Sequence, residues 1–180
     1  MIMLDVNLLI YAYDKSSPFH LRTRNWLDQL FVQGAKIGMP WPTLLGFLRL
    51  LCNQHVVKNT VTTAQAWQTT ESILAIPGIW IPLPGEQHAR ILGRLLTAGS
   101  GLSPRVIHDA HLAALAIEHG LILCSTDGDF ARFEGLRWEN PLARPGQVGE
   151  RKVRYRTKPG TKRSASYAPH PARATAWWHT

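Results

Sequence analysis

Four acids, Asp5, Asp109, Asp127 and Asp129, fall where simple surface exposure explains a carboxylate poorly. Asp5 closes a short apolar run, Ile2 to Leu4, and precedes a second one, Leu8 to Tyr13. That order predicts a strand, an acid at its carboxyl end, then a helix. In open α/β sheets, ligands sit outside the carboxyl ends of the strands. Asp127 and Asp129 lie in STDGDF, directly after the apolar LILC. Asp109 lies in VIHDAHLAALAIEHG and shares one helical stripe with Leu112, Ala113 and Ala116. Glu118 falls on the far side of that helix. Each acid also has a local explanation. Asp5 is suited to capping a helix. Asp109 has backbone amides and Arg105 one turn back as partners. Asp127 and Asp129 can form an Asx turn with Gly128.

What the four imply together differs from what each implies alone. Acids past two strand ends and on one sheet-facing helix can converge in a parallel sheet. Two carboxylates ~4 Å apart repel by about 4 kcal/mol at an effective dielectric near 20. Such a cluster destabilises the fold or stays protonated unless a cation neutralises it. Carboxylates plus waters are the ligands that Mg²⁺ or Mn²⁺ selects. A metal held that way polarises a phosphoryl oxygen, activates a water and stabilises the leaving oxygen, which suits phosphodiester hydrolysis.

The remaining pattern supplies the elements that must carry these groups. A helix is predicted from about Phe19 to Phe31, and a short strand over AKIGM. A buried helix is expected from near Thr43 through WPTLLGFLRLLCN, then a helix capped by Thr62 or Thr63 and closed at Pro77-Gly78. GIWIPL reads as a strand, Glu86 to Ala98 as an amphipathic helix, and Arg105 to His119 as a helix ended by Gly120. LILCS and LRW are strands, with a short helix from Phe130 to Phe133 between them. Strands alternating with helices predict a parallel sheet covered on both faces.

Composition sets the limits. The net charge of +8 is confined to the end of the chain. Residues 1–142 hold eleven Lys and Arg against eleven Asp and Glu, whereas 143–180 hold nine against one. The latter stretch loses apolar periodicity and is predicted to be a disordered basic tail, because it cannot bury enough surface to offset its ordering entropy. It reads either as a solvated tail or as a polybasic RNA-binding arm in which Trp177 and Trp178 stack on bases. Cys52 and Cys124 sit in apolar runs and read as buried free thiols, without the further ligands a zinc site needs. No secretory signal and no membrane-length apolar run is present, so a cytoplasmic, reducing location is expected.

The motifs LDVNLLIYAYD, WPTLLGFLRL, HDAHLAALAIEHG and STDGDFARFEGLRWENPL, in that order across residues 1–142, resemble the PIN-domain toxins of VapC type from bacterial toxin–antitoxin pairs. The resemblance implies a PIN-like three-layer α/β/α sandwich with a central parallel sheet. It also implies Mg²⁺-dependent endoribonuclease activity, homodimerisation, and neutralisation by a small VapB-like antitoxin. Asp5 and Asp109 match the family's main metal-binding acids, Asp127 the acid of the fourth motif and Asp129 its neighbour. Asn7 and Thr126 fall where polar residues line the site, Thr126 being suited to orient a water. Two departures stand out. Gly46 occupies the place where PIN nucleases often carry a glutamate, and such toxins usually stop near the NPL that ends at Leu142.

Other residues fit bland roles better. Arg49 is suited to RNA phosphate but also to bonding helix ends or acids. His108 and His111 flank Asp109 off its face and read as rim residues. The tryptophans of the body read as core or interface. The competing function is a PIN-like body that binds RNA through the basic tail without cutting it. A phosphatase of the haloacid-dehalogenase type needs a second acid two residues after the first, where this chain has Asn7. A dinucleotide-binding enzyme needs a glycine-rich turn after the first strand, and none is present.

Overall fold

The computed structural model describes residues 1–98, 104 and 106–143. The expected disordered tail therefore falls, apart from Ala143, outside the described residues, as does Arg105. Five short parallel strands form one sheet in the order β3-β2-β1-β4-β5. They are β1 (Ile2–Leu4), β2 (Ile37–Gly38), β3 (Ile79–Trp80), β4 (Ile122–Cys124) and β5 (Arg137–Glu139). Their register pairs Ile2 with both Ile37 and Ile122, and Leu4 with Cys124.

Six helices cover the two faces: α1 (Val6–Tyr13), α2 (His20–Val32), α3 (Trp41–Leu51), α4 (Thr63–Leu74), α5 (His88–Thr97) and α6 (Val106–Glu118). Alternation along the strands decides what each face buries. Leu4 and Cys124 point into a core with Leu8, Leu9, Leu27, Leu44 and Phe47 from α1 to α3. Their neighbours Met3 and Leu123 point into the opposite core, built with Ile91, Leu95, Ala113 and Leu115 from α5 and α6. The layering is α/β/α, as expected.

Local chemistry shifts several boundaries. α1 starts at Val6, directly after Asp5, so Asn7 lies in its first turn. α3 starts at Trp41 behind Pro40, with Pro42 in a first turn that needs no amide donor, and not near Thr43. Thr43 instead donates its hydroxyl to the Leu4 carbonyl at 3.0 Å, tying α3 to the end of β1. α4 is capped by Thr62 through a reciprocal box with Gln65. The segment after β4 is a 3-10 turn, Gly128–Arg132, capped by Asp127. Past the end of α6 the chain turns at Gly120, whose φ of +63° is one that glycine adopts without penalty. Among the described residues no helix is long and apolar enough to cross a membrane.

Candidate active site

The chain order reverses at β1: β2 and β3 extend the sheet on one side of it, β4 and β5 on the other. The crevice at the carboxyl ends of β1 and β4 is therefore the topological switch point, the usual ligand position in such sheets. Asp5 leaves β1 there. Its amide still pairs with the Cys124 carbonyl at 3.1 Å, so it continues the β1–β4 ladder by one residue. Its side chain then turns to cap α1, Oδ1 accepting from the Val6 amide at 2.7 Å.

Asp5 Oδ2 is held by two further donors, the Ser125 hydroxyl at 2.7 Å and Asn7 Nδ2 at 2.9 Å. Ser125 is fully buried at the end of β4. Its Oγ gives its one proton to Asp5 and accepts from Asn7 Nδ2 at 2.8 Å and from the Asp127 amide at 3.0 Å. Every bonding position of that hydroxyl is in use. Ser125 thus joins the first strand end, the first helix and the last acidic turn.

The electrostatics of Asp5 follow from this enclosure. It is 8% exposed. Burial pushes its carboxyl from an ordinary 3.8 up to about 6. The bonds from Ser125 and Val6 pull the other way, and the negative charges of Asp109 and Asp127 add to the rise. These two acids, distant in sequence, share one electrostatic neighbourhood with Asp5. Asp109 stands half-buried in the first turn of α6, ahead of the buried Leu112, Ala113 and Ala116. Asp127 keeps its local role as well, Oδ1 accepting from the Asp129 amide at 3.0 Å.

Asp129 forms an exposed ion pair with Arg132 at 3.1 Å. Arg49 is exposed in the last turn of α3. Thr126 is half-buried, with Oγ1 3.5 Å from the Tyr11 hydroxyl. Tyr11 itself is buried, and the charges of Asp5 and Asp127 help to raise its pKa, after burial. Gly46 packs directly on α1. A Cβ there would lie 3.3 Å from Val6 Cγ2, a tight contact to which the Val6 side chain would have to yield by a few tenths of an ångström.

The donor set suits a hard cation. All its atoms are oxygens, Asp5 carries unfavourable negative charge in a buried place, and Asn7 Oδ1 is buried with no donor among the described residues. No three His, Cys, Asp or Glu side chains among the described residues form a closed metal cage. Mg²⁺ does not require one, since it commonly binds through one or two carboxylates and keeps several waters.

Two groups of residues escaped the sequence reading. Ser125 ends the apolar run LILCS and looked like strand, and its partners follow only from the β1–β4 register. Glu118 was expected on the far side of α6, away from the sheet. It is there, but α5 covers it: Oε2 and Oε1 accept from the Gly85 and Gln87 amides, each at 3.0 Å. Burial pushes its pKa up, but those two bonds, with His88 and His119 nearby, together hold it below the ordinary value. His88 Nδ1 stands 3.5 Å from Glu118, too far for a strong bond, and its Nε2 meets His111 Nδ1 at 3.0 Å. This array fastens α5 to α6, the helix that carries Asp109. Cys52 and Cys124 are free thiols, and burial pushes the latter up to about 12.

Comparisons with known proteins agree with this fold. A profile of the PIN domain matches residues 2–136. Ribonuclease VapC37 of Mycobacterium tuberculosis is 38% identical over 144 residues, which span 79% of this chain and 99% of that protein. VapC ribonuclease Mb2897 of Mycobacterium bovis is 36% identical over 142 residues, 79% of this chain and 96% of its own. Among solved structures, FitAcB from Neisseria gonorrhoeae superposes with a TM-score of 0.58 at 22% identity, covering 78% of this chain and 98% of its own. VapBC2 from Rickettsia felis, bound to a promoter DNA fragment, gives 0.57 at 20% identity, covering 78% and 98%.

Proposed function

The chain belongs to the PIN-domain family, and from that premise we propose that it is a VapC-type endoribonuclease toxin that hydrolyses RNA phosphodiester bonds. Relatives more than a third identical over nearly their whole length are ribonucleases by name. The observation that carries the reading is the buried Asp5, its pKa raised to about 6, with Asp109 and Asp127 as the charges acting on it. Asp5 and Asp109, with Asp127 beside them, are the residues that would hold Mg²⁺ or Mn²⁺. When bound, such an ion supplies the Lewis-acid stabilisation that phosphodiester hydrolysis needs.

The protein's own groups do the rest. Ser125 and the Val6 amide favour the ionised form of Asp5, so it can exchange a proton for a cation near neutral pH. Asn7 fixes the carboxylate through Nδ2 and leaves its Oδ1 toward no protein donor. Thr126 offers a hydroxyl to orient the attacking water. Asp129 is engaged by Arg132 and Arg49 is exposed in the last turn of α3, so both are assigned outer roles.

A small VapB-like antitoxin is the expected partner, since the solved complexes that share this fold include VapBC and FitAB assemblies. A homodimer acting in the cytoplasm completes the proposal. A second reading, an RNA-binding body that does not cut, draws on Gly46 in place of the second acid. Cleavage of RNA that EDTA abolishes and Asp5→Asn removes separates the two. Binding without cleavage under any divalent cation selects the second.

A further inference from the structure

Tyr11 reaches the crevice from α1. It stands four residues after Asn7, so the two share one stripe of that helix. Helical side chains lean toward the amino end of their helix, and α1 begins where Asp5 leaves β1. The Tyr11 ring therefore leans toward Asn7, which bonds both Asp5 and Ser125. Its hydroxyl ends 3.5 Å from Oγ1 of Thr126, the residue after Ser125. Two contacts hold the tyrosine in place. The Phe19 ring lies 5.0 Å away between centroids, and His20 Nδ1 is 3.1 Å from the Tyr11 carbonyl.

A separation of 3.5 Å exceeds the range of about 2.5–3.0 Å for an ordinary O–H···O bond. Direct bonding between the two hydroxyls is therefore weak. Each remains able to bond a third oxygen, and one oxygen can stand about 2.8 Å from both. Neither hydroxyl has another partner among the described residues. Tyr11 is only 7% exposed, and a phenol buried that far ordinarily finds one. The phenol also keeps its proton. Burial first, then the charges of Asp5 and Asp127, raise its pKa above an ordinary 10.0, against the pull of Thr126.

The carboxylates decide what the third oxygen is. A phosphate oxygen only accepts, and the charges of Asp5 and Asp127 repel it. A water accepts from the hydroxyls and donates to the carboxylates. We propose that Tyr11 and Thr126 hold the attacking water between their hydroxyls, which makes Tyr11 a second water-orienting residue. This rests on the ribonuclease reading for the attack itself. A water on one hydroxyl swings about a single bond, whereas two hydroxyls fix where its lone pair points. In the hydrolysis the water oxygen bonds phosphorus. The phosphorus–leaving oxygen bond breaks with its electron pair on that oxygen, which ends with one of the water protons. Tyr11 stays a neutral phenol throughout.

The test compares Tyr11→Phe, Thr126→Val and the double variant with the full-length parent at saturating Mg²⁺. Each single change should lower kcat on a fluorogenic RNA about tenfold, roughly the worth of one hydrogen bond. The double variant should fall no more than about threefold below the worse single one, because both hydroxyls serve one water. KM should hold within about twofold, as should RNA affinity by anisotropy in an Asp5→Asn background. A crystal structure of the parent should show a water bonded to both hydroxyls, and Tyr11→Phe should lose it. Losses that multiply to about a hundredfold overturn the shared water, as does a parent crystal without it. A KM that rises while kcat holds overturns it in favour of a phosphate oxygen. Tyr13→Phe is the control, its ring standing edge-on to Phe47 at 5.9 Å, and an equal loss there overturns the proposal too. A parent that cleaves no RNA ends the ribonuclease reading and this one with it. A parent that cleaves while Tyr11→Phe keeps its kcat ends this one alone.

Discussion

Replacing Asp5 with asparagine should change the pH dependence of stability in a way that isolates one buried carboxylate. Its pKa is pushed from 3.8 to about 6 in the folded protein. A shift of about 2 units is worth about 3 kcal/mol, taking 1.36 kcal/mol per unit. The direction follows from linkage. Below 3.8 both states are protonated and nothing is lost. Between 3.8 and 6 the unfolded chain ionises while the folded one holds its proton, so the folded state loses stability as pH rises. Above 6 the loss is complete. An amide does not ionise in this range, so Asp5→Asn lacks this loss. The substitution also breaks bonds with Ser125 and Asn7, at a cost of about 1–3 kcal/mol that does not depend on pH.

The informative quantity is therefore the difference in Tm between variant and parent, followed in EDTA from pH 4 to pH 7. It should move in favour of the variant by about 10 °C, at roughly 3 °C per kcal/mol for a body of this size. Adding Mg²⁺ at pH 7 should raise the parent's Tm and leave the variant's nearly unchanged. A difference that stays flat across this range, or moves against the variant, refutes the burial argument.

Other outcomes follow from the same contacts. Ser125→Ala strands Asp5 Oδ2, Asn7 Nδ2 and the Asp127 amide, so it should lower stability by about 2–4 kcal/mol in chemical denaturation and reduce cleavage. Asp127→Asn should cut RNA cleavage by at least about a hundredfold, whereas Asp129→Asn, which breaks a solvent-screened ion pair with Arg132, should change it less than about threefold. Gly46→Glu should not restore a stronger metal site. It should instead destabilise by about 1–3 kcal/mol, because its Cβ presses on Val6, and calorimetric Mn²⁺ affinity should not rise. Cleavage by the parent should fall as pH drops through about 6, where Asp5 takes up a proton in competition with the cation.

The layer order, the parallel sheet and the three acids that meet were legible because each rests on local pattern. Period two in the strands, period 3.6 in α6 and a polar turn after LILC each mark one position. What stayed hidden needed knowledge of neighbours. Ser125 matters because β4 lies beside β1 in a register that sets it against Asp5 and Asn7, and nothing within LILCS encodes that pairing. Glu118 was assigned correctly to the outer face of α6, yet periodicity names a face without naming what covers it, and α5 starts there. The spacing of Asp129 from Asp127 suggests a shared site, and it does not encode that Arg132, one 3-10 turn on, pairs with the Asp129 carboxylate. Gly46 is marked in the sequence only as a missing acid; that Val6 packs against it depends on how α3 lies on α1, which local pattern does not encode.

The most direct measurement is anomalous diffraction from a crystal soaked with Mn²⁺. The account predicts one ion with Asp5 and Asp109 carboxylate oxygens at about 2.1–2.2 Å and waters on its remaining positions. Anomalous density absent from that crevice, or found only at other carboxylates such as Asp129, would contradict it.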